Sequence, residues 1–164
     1  MTDSSRFESF DEFDAAVEVL PEDQSDRLRS GFVKRFVDVD HPGYKENVAQ
    51  LQTYADGDAY VGYLWDYLVT KVVVTCDELR RKLDAAHLVN VMWDVHSAQR
   101  VRDPDYFKWP KSTVLRGSVA VMCRGAAFLP EDIYVFDETL TWTAALTHEW
   151  LDDTRYCLWA DAAS

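Results

Sequence analysis

Cysteine, glycine and proline are all scarce in this chain, and the few present are scattered. Three cysteines, Cys76, Cys123 and Cys157, make no Cys-x-x-Cys pair and are odd in number, so a disulfide framework is not expected. Basic residues are short as well: 17 Lys and Arg stand against 29 Asp and Glu, for a net charge of −12. Duplex nucleic acid is therefore disfavoured as a partner, because its affinity comes from neutralised phosphates. No apolar run approaches the roughly 20 residues of a membrane span, and the N-terminus is too acidic and polar for a signal peptide. The expectation is a soluble cytoplasmic protein with no membrane partner.

The common catalytic signatures are missing too. There is no Gly-x-Ser-x-Gly, no P-loop, no Gly-x-Gly-x-x-Gly, and no His-x-x-x-His or His-Glu-x-x-His. These absences argue against a nucleophile elbow, a phosphate cradle, a dinucleotide site and a helical zinc site. No metal and no cofactor is expected.

What is present suffices for one hydrophobic core. With 164 residues and 48% apolar composition, folding removes roughly 70% of the unfolded chain's surface. The pattern reads as a single α+β domain over 1–164, mainly helical over 1–55 and mainly sheet over 60–160: N-terminal helices packed on a mainly antiparallel sheet with one inserted helix. Phe7, Phe10, Phe13, Val17 and Leu20 recur at helical spacing, with Ser9-x-x-Glu12 as a capping box. A second helix from Glu22 carries Leu28, Phe32 and Phe36 at i, i+4, i+8. A short third holds Tyr44, Val48 and Leu51, before the turn Ala55–Asp58.

From Tyr60 the period becomes two. Strands are expected over 60–68, 88–96, 132–137, 141–148 and 155–159, with a helix opened by the Thr75-x-x-Glu78 capping box and running to about His87. Residues 97–113 read as a long loop, and 114–128 fit either strand or short helix. Ile133–Phe136 and Thr141–His148 should pair as a hairpin across Asp137–Leu140.

Candidate chemistry is sparse. His148 beside Glu149 could serve as a general base or a metal ligand, but alternation puts His148 on the face of Trp142, Ala144 and Leu146, where a core or edge histidine is the ordinary occupant, and Glu149 on the other. Asp94 and His96 share a strand face at i, i+2. They could meet as a carboxylate–imidazole pair, or simply face solvent, and two residues are too few for a metal site. Asp137 and Glu138 are adjacent acids at a turn, where Asp commonly caps local backbone groups. Among six tryptophans, Trp65, Trp93 and Trp142 fit core positions. Trp109 and Trp150 fit a surface, where tryptophan anchors interfaces, or equally loops packed over the core.

Several segments carry a resemblance. Gly62-Tyr63-Leu64-Trp65, Asp132-Ile133-Tyr134-Val135-Phe136-Asp137, Trp142-Thr143, Thr147-His148-Glu149 and Arg155-Tyr156-Cys157 together resemble an uncharacterised family of small bacterial proteins, a domain of unknown function. The likeness spans roughly 28–158, is close only in its last part, and departs over Asp94–Gly125. It implies an α+β fold and no established activity.

Charge then separates the functional readings. Residues 1–26 hold nine acids and one base, 127–164 hold eight acids and one base, and 27–126 hold twelve acids and fifteen bases, giving −8, −7 and +3. Such ends can steer a chain toward a basic partner, or simply keep it soluble. The leading expectation is an acidic inhibitor of a basic protein, such as an immunity protein that blocks a bacterial toxin. Binding residues are sought among Trp109, Asp137, Glu138, Trp150, Asp152 and Asp153, with Asp11, Glu12 and Asp14 as further acids. The alternatives are a small hydrolase or metal-dependent enzyme using His148, Glu149, Asp94 and His96, and a non-catalytic regulatory domain. Oligomeric state is open.

Overall fold

A computed structural model describes residues 6–49, 62–94 and 108–162. Helix α1 (Phe10–Ala16) starts at Ser9, whose hydroxyl accepts the Glu12 N–H at 3.3 Å. The Glu12 carboxylate reaches back to the Glu8 N–H at 2.9 Å, one residue before the partner a capping box would use. Helix α2 (Glu22–Phe36) carries acids in its first turn and Lys34 and Arg35 in its last, and it buries Leu28, Phe32 and Phe36. That charge order complements the helix dipole. A short turn of helix, α3 (Pro42–Tyr44), runs on into a π-helical turn over Lys45–Ala49. Tyr44 and Val48 are buried there, while Leu51 and the turn Ala55–Asp58 lie outside the described residues.

The fold is α+β. Among the described residues the strands are β1 (Glu18–Val19), β2 (Val72–Val74), β3 (Leu88–Met92), β4 (Leu115–Ser118), β5 (Ile133–Phe136), β6 (Trp142–Leu151) and β7 (Thr154–Asp161). They form one antiparallel sheet in the order β1-β4-β3-β5-β6-β7-β2. Helix α4 (Cys76–Lys82) opens on the expected capping box, with Thr75 and Glu78 each bonding the other's backbone N–H. It stops at Lys82 rather than near His87. The ambiguous stretch after Val114 resolves into β4, helix α5 (Val119–Arg124) and a 3₁₀ turn over Ala126–Phe128.

Strand alternation sends side chains to opposite faces of the sheet, and both faces are covered. On one, Leu28, Phe32 and Phe36 pack against Met92, Tyr134, Phe136, Ala145 and Leu158. On the other, Phe10, Phe13, Leu79 and Met122 pack against Val89, Val91, Trp93, Val135, Ala144 and Trp159. Each large apolar side chain fully buried this way stabilises the fold by about 1.5–3 kcal/mol.

The expected strand over 60–68 is not formed where it is described. Tyr60 and Val61 lie outside the described residues, and Leu64–Tyr67 is a 3₁₀ turn. The Asp66 carboxylate accepts the Tyr63 N–H at 3.0 Å. A side chain that captures local backbone competes with a sheet ladder. Only Leu68 keeps a bridge, to Val37. Tyr63, Leu64, Trp65 and Leu68 are all buried, so the alternation of aromatics was a sign of burial rather than of a strand.

Candidate functional site around His148 and the β6–β7 hairpin

The β3–β5 register pairs Asn90 with Phe136, Val91 with Val135 and Met92 with Tyr134. Continued by two residues, it puts Asp94 opposite Asp132. Both carboxylates are buried, Asp94 at 5% and Asp132 at 0% exposure. Asp94 accepts the Tyr134 hydroxyl at 2.5 Å and the Leu64 N–H at 3.3 Å. Burial pushes the Asp94 carboxyl up to about 7, and the neighbouring Asp132 charge adds to the rise, against the lowering pull of these hydrogen bonds and of the Arg29 guanidinium. Burial also pulls Arg29 below its usual value. Its Nη2 donates to the Trp93 carbonyl at 2.8 Å.

Asp132 takes a different partner. It accepts the indole N–H of Trp65 at 3.3 Å and the backbone N–H of His148 at 3.1 Å. The Nδ1 of His148 lies 2.9 and 3.0 Å from its two oxygens. A carboxylate only accepts, so Nδ1 carries the hydrogen of this contact, and in a neutral ring Nε2 then keeps its lone pair. The imidazole is 25% exposed above a fully buried Asp132. Tyr63, its ring centroid 5.1 Å away, and Trp65, at 6.5 Å, wall it on one side. The arrangement is that of a base held in one tautomer by an acid beneath it.

His148 does not lie on the face of Trp142, Ala144 and Leu146. The β6–β7 register breaks between Leu146 and Trp150, and a bulge of this kind re-aims the side chains that follow it. Through it His148 meets Tyr63 and Trp65, on the face opposite Ala144. Asp94 is likewise no solvent-facing strand end: Tyr134 and Leu64 close over it. His96 lies outside the described residues, so its pairing with Asp94 does too. Glu149 is exposed, and its backbone N–H donates to the Thr147 hydroxyl at 3.3 Å.

Beyond the bulge, β6 and β7 continue to a hairpin tip. Trp150 pairs with Arg155 and Leu151 with Thr154, leaving Asp152 and Asp153 as a two-residue turn. Both stand at positive φ, 46° and 60°, as a type I′ turn requires. Trp150 is 67% and Leu151 63% exposed.

The other expected binding residues divide. Trp109 is a correction: it is 7% exposed, and its indole N–H donates to Asp14 at 2.7 Å. Its ring packs 4.8 Å from Phe10 and 6.2 Å from Trp93. The α1 aromatics need a cover, and Trp109 supplies it. Asp137 is occupied with its own turn, accepting the Thr141 N–H at 3.0 Å and the Thr141 hydroxyl at 2.9 Å. Glu138 is exposed beside Arg116 at 3.4 Å, along a groove of about 270 Å³ lined also by His87 and Asn90.

Asp132 is the site residue that sequence reading missed, although its place two residues before Tyr134 assigns both to one strand face. Among the described residues no group of three or more His, Cys, Asp or Glu could hold a metal ion, and no helix is long and apolar enough to cross a membrane. No family model, curated protein or solved structure matches the chain.

Proposed function

We propose that this is an acidic binding protein that holds a basic protein partner, in the manner of an immunity protein that inhibits a bacterial toxin. One observation carries the reading: the β6–β7 hairpin tip exposes Trp150 and Leu151 directly beside Asp152 and Asp153. An aromatic anchor flanked by carboxylates suits a basic surface, since the ring supplies buried area and the acids supply steering. The net charge of −12 supports the same partner. The test is to co-express the chain with the product of its neighbouring gene, score rescue from toxicity, and follow association against salt. Rescue is expected, with an on-rate that falls steeply between about 0.01 M and 1 M salt as the Debye length shrinks from roughly 30 Å to 3 Å. Trp150→Ala should weaken binding by about 30-fold, the mark of a hot spot. No rescue, or an on-rate indifferent to salt, refutes the reading.

A second reading is favoured by the Asp132–His148 pair, which suits a general base in a small hydrolase. Hydrolysis of ester or phosphoester substrates that His148→Ala abolishes and Trp150→Ala leaves intact would establish it in place of the first.

A further inference from the structure

The sequence scatters its cysteines, but the fold brings two of them together. Cys76 is the first residue of α4, and Cys157 lies in β7 opposite Val74. They are 81 positions apart in the chain, and their sulfurs are 3.4 Å apart. A disulfide needs about 2.05 Å between sulfurs, so the thiols are within about 1.4 Å of bonding distance. We propose that Cys76 and Cys157 are an oxidation site, at which a hydroperoxide converts the thiol pair to an intramolecular disulfide that fastens α4 and the edge strand β2 to β7.

The two thiols are unequal, and the inequality orders the steps. Cys157 is buried and Cys76 half-buried. Burial pushes the Cys157 thiol up to about 12, with the Cys76 hydrogen bond adding to the rise. Cys157 therefore stays protonated and inaccessible, and peroxide meets Cys76 first. With hydrogen peroxide, the Cys76 sulfur attacks one oxygen, the O–O bond breaks, and the departing hydroxide takes the Cys76 proton as water, leaving Cys76 sulfenic acid. The Cys157 sulfur then attacks the Cys76 sulfur. The S–O bond breaks, and hydroxide leaves with the Cys157 proton as a second water. Two thiols lose two electrons, and one peroxide gains them. The high value at Cys157 makes the second step slow.

The bond has a structural consequence. Strand β2 is three residues long, lies at the sheet edge, and pairs only with β7, through Val72–Trp159, Val73–Leu158 and Val74–Cys157. Val72 and Val73 are exposed. Reduced, this edge is held to the sheet by three ladder pairs alone, so local opening there costs little. Oxidised, it is tied down two residues beyond its last ladder pair.

The test uses the full chain carrying Cys123→Ser, which removes the exposed third thiol and with it the route to linked dimers. After hydrogen peroxide at pH 7.5, thiols are counted by alkylation in denaturant and peptides are mapped by mass. The expected result is a monomer lighter by two hydrogens, no free thiol, a peptide joining Cys76 to Cys157, and a melting temperature raised by roughly 5–15 °C. Dithiothreitol should reverse all four. Sulfinic acid on Cys76 without the linked peptide, thiols that survive prolonged excess peroxide, or a rise in melting temperature that persists in Cys76→Ser would each overturn the proposal.

Discussion

Tyr134 donates a 2.5 Å hydrogen bond to Asp94 while its oxygen accepts the Trp65 N–H at 2.9 Å. One phenol thus ties β5 both to the end of β3 and to the 3₁₀ turn that replaces an expected strand. Through Trp65, whose indole N–H goes to Asp132, the tie reaches His148. Asp94, Tyr134 and Asp132 are all buried, so the half-buried His148 is where this polar network meets solvent. Such a network is worth its desolvation only when every member is satisfied.

Asp94 should make stability fall as pH rises. Its folded value of about 7 lies above the ordinary 3.8, so the folded chain holds this proton more tightly than the unfolded one. Its contribution is complete below about pH 4 and lost as pH passes about 7. Between pH 5.5 and 8 the loss amounts to about 2 kcal/mol. Urea titrations of the wild type and Asp94→Asn at both pH values should differ by that amount in slope with pH. Parallel behaviour would show that Asp94 releases no proton in this window.

Much of this fold was legible in the sequence, and the failures have physical causes. The α2 stripe, the Thr75 capping box and the β5–β6 hairpin rest on local spacing and local hydrogen bonds, which sequence displays directly. The stretch around Tyr63–Trp65 failed because alternation reports burial on two sides, and burial alone does not distinguish a strand from a turn locked by Asp66. The site was half visible. His148 stands out in the sequence, but periodicity puts it on the wrong face because β6 advances four positions from Leu146 to Trp150 while β7 advances two from Cys157 to Arg155. Asp132 carries no signal of its own in the sequence, because the partner that gives it meaning lies 16 positions away. The polar sequence around Trp109 suggests a surface position, whereas the aromatics it covers, Phe10 and Phe13, come from α1, far away in the chain.

Two tryptophans should answer oppositely to truncation. Trp93 is fully buried, and Trp93→Ala should cost about 3–5 kcal/mol. Trp150, at the hairpin tip, should change stability by less than about 0.5 kcal/mol. Chemical denaturation of both variants checks the pair, and a costly Trp150→Ala would mean that the tip packs against the body of the protein.

Gly125→Ala should destabilise through crowding rather than through backbone strain. The φ at Gly125 is −92°, which alanine adopts freely. An added Cβ, however, would stand 2.2 Å from two ring carbons of Phe13. That ring is fully buried, with Phe7 and Trp109 both 5.7 Å away between centroids, so it has little room to yield. A loss of about 1–3 kcal/mol is expected. Combining it with Phe13→Leu should cost less than the two single changes together, since the smaller side chain vacates the contested space. Strict additivity would place the damage elsewhere.

The hairpin tip offers a test in which stability and recognition move apart. Type I′ turns favour Asn-Gly, because both central residues need positive φ and glycine adopts it without penalty. Here the positions hold Asp152 and Asp153, two like charges side by side in a conformation that β-carbons disfavour. Asp152→Asn with Asp153→Gly should therefore raise stability by about 1 kcal/mol, read from the urea midpoint. If the acids are kept for a basic partner, the same variant should associate more slowly at low salt and lose part of its salt dependence, while approaching the wild type near 1 M salt where screening removes steering. A more stable hairpin with an unchanged on-rate would leave the two acids without a role in recognition, and would shift the weight of the binding surface onto Trp150 and Leu151 alone.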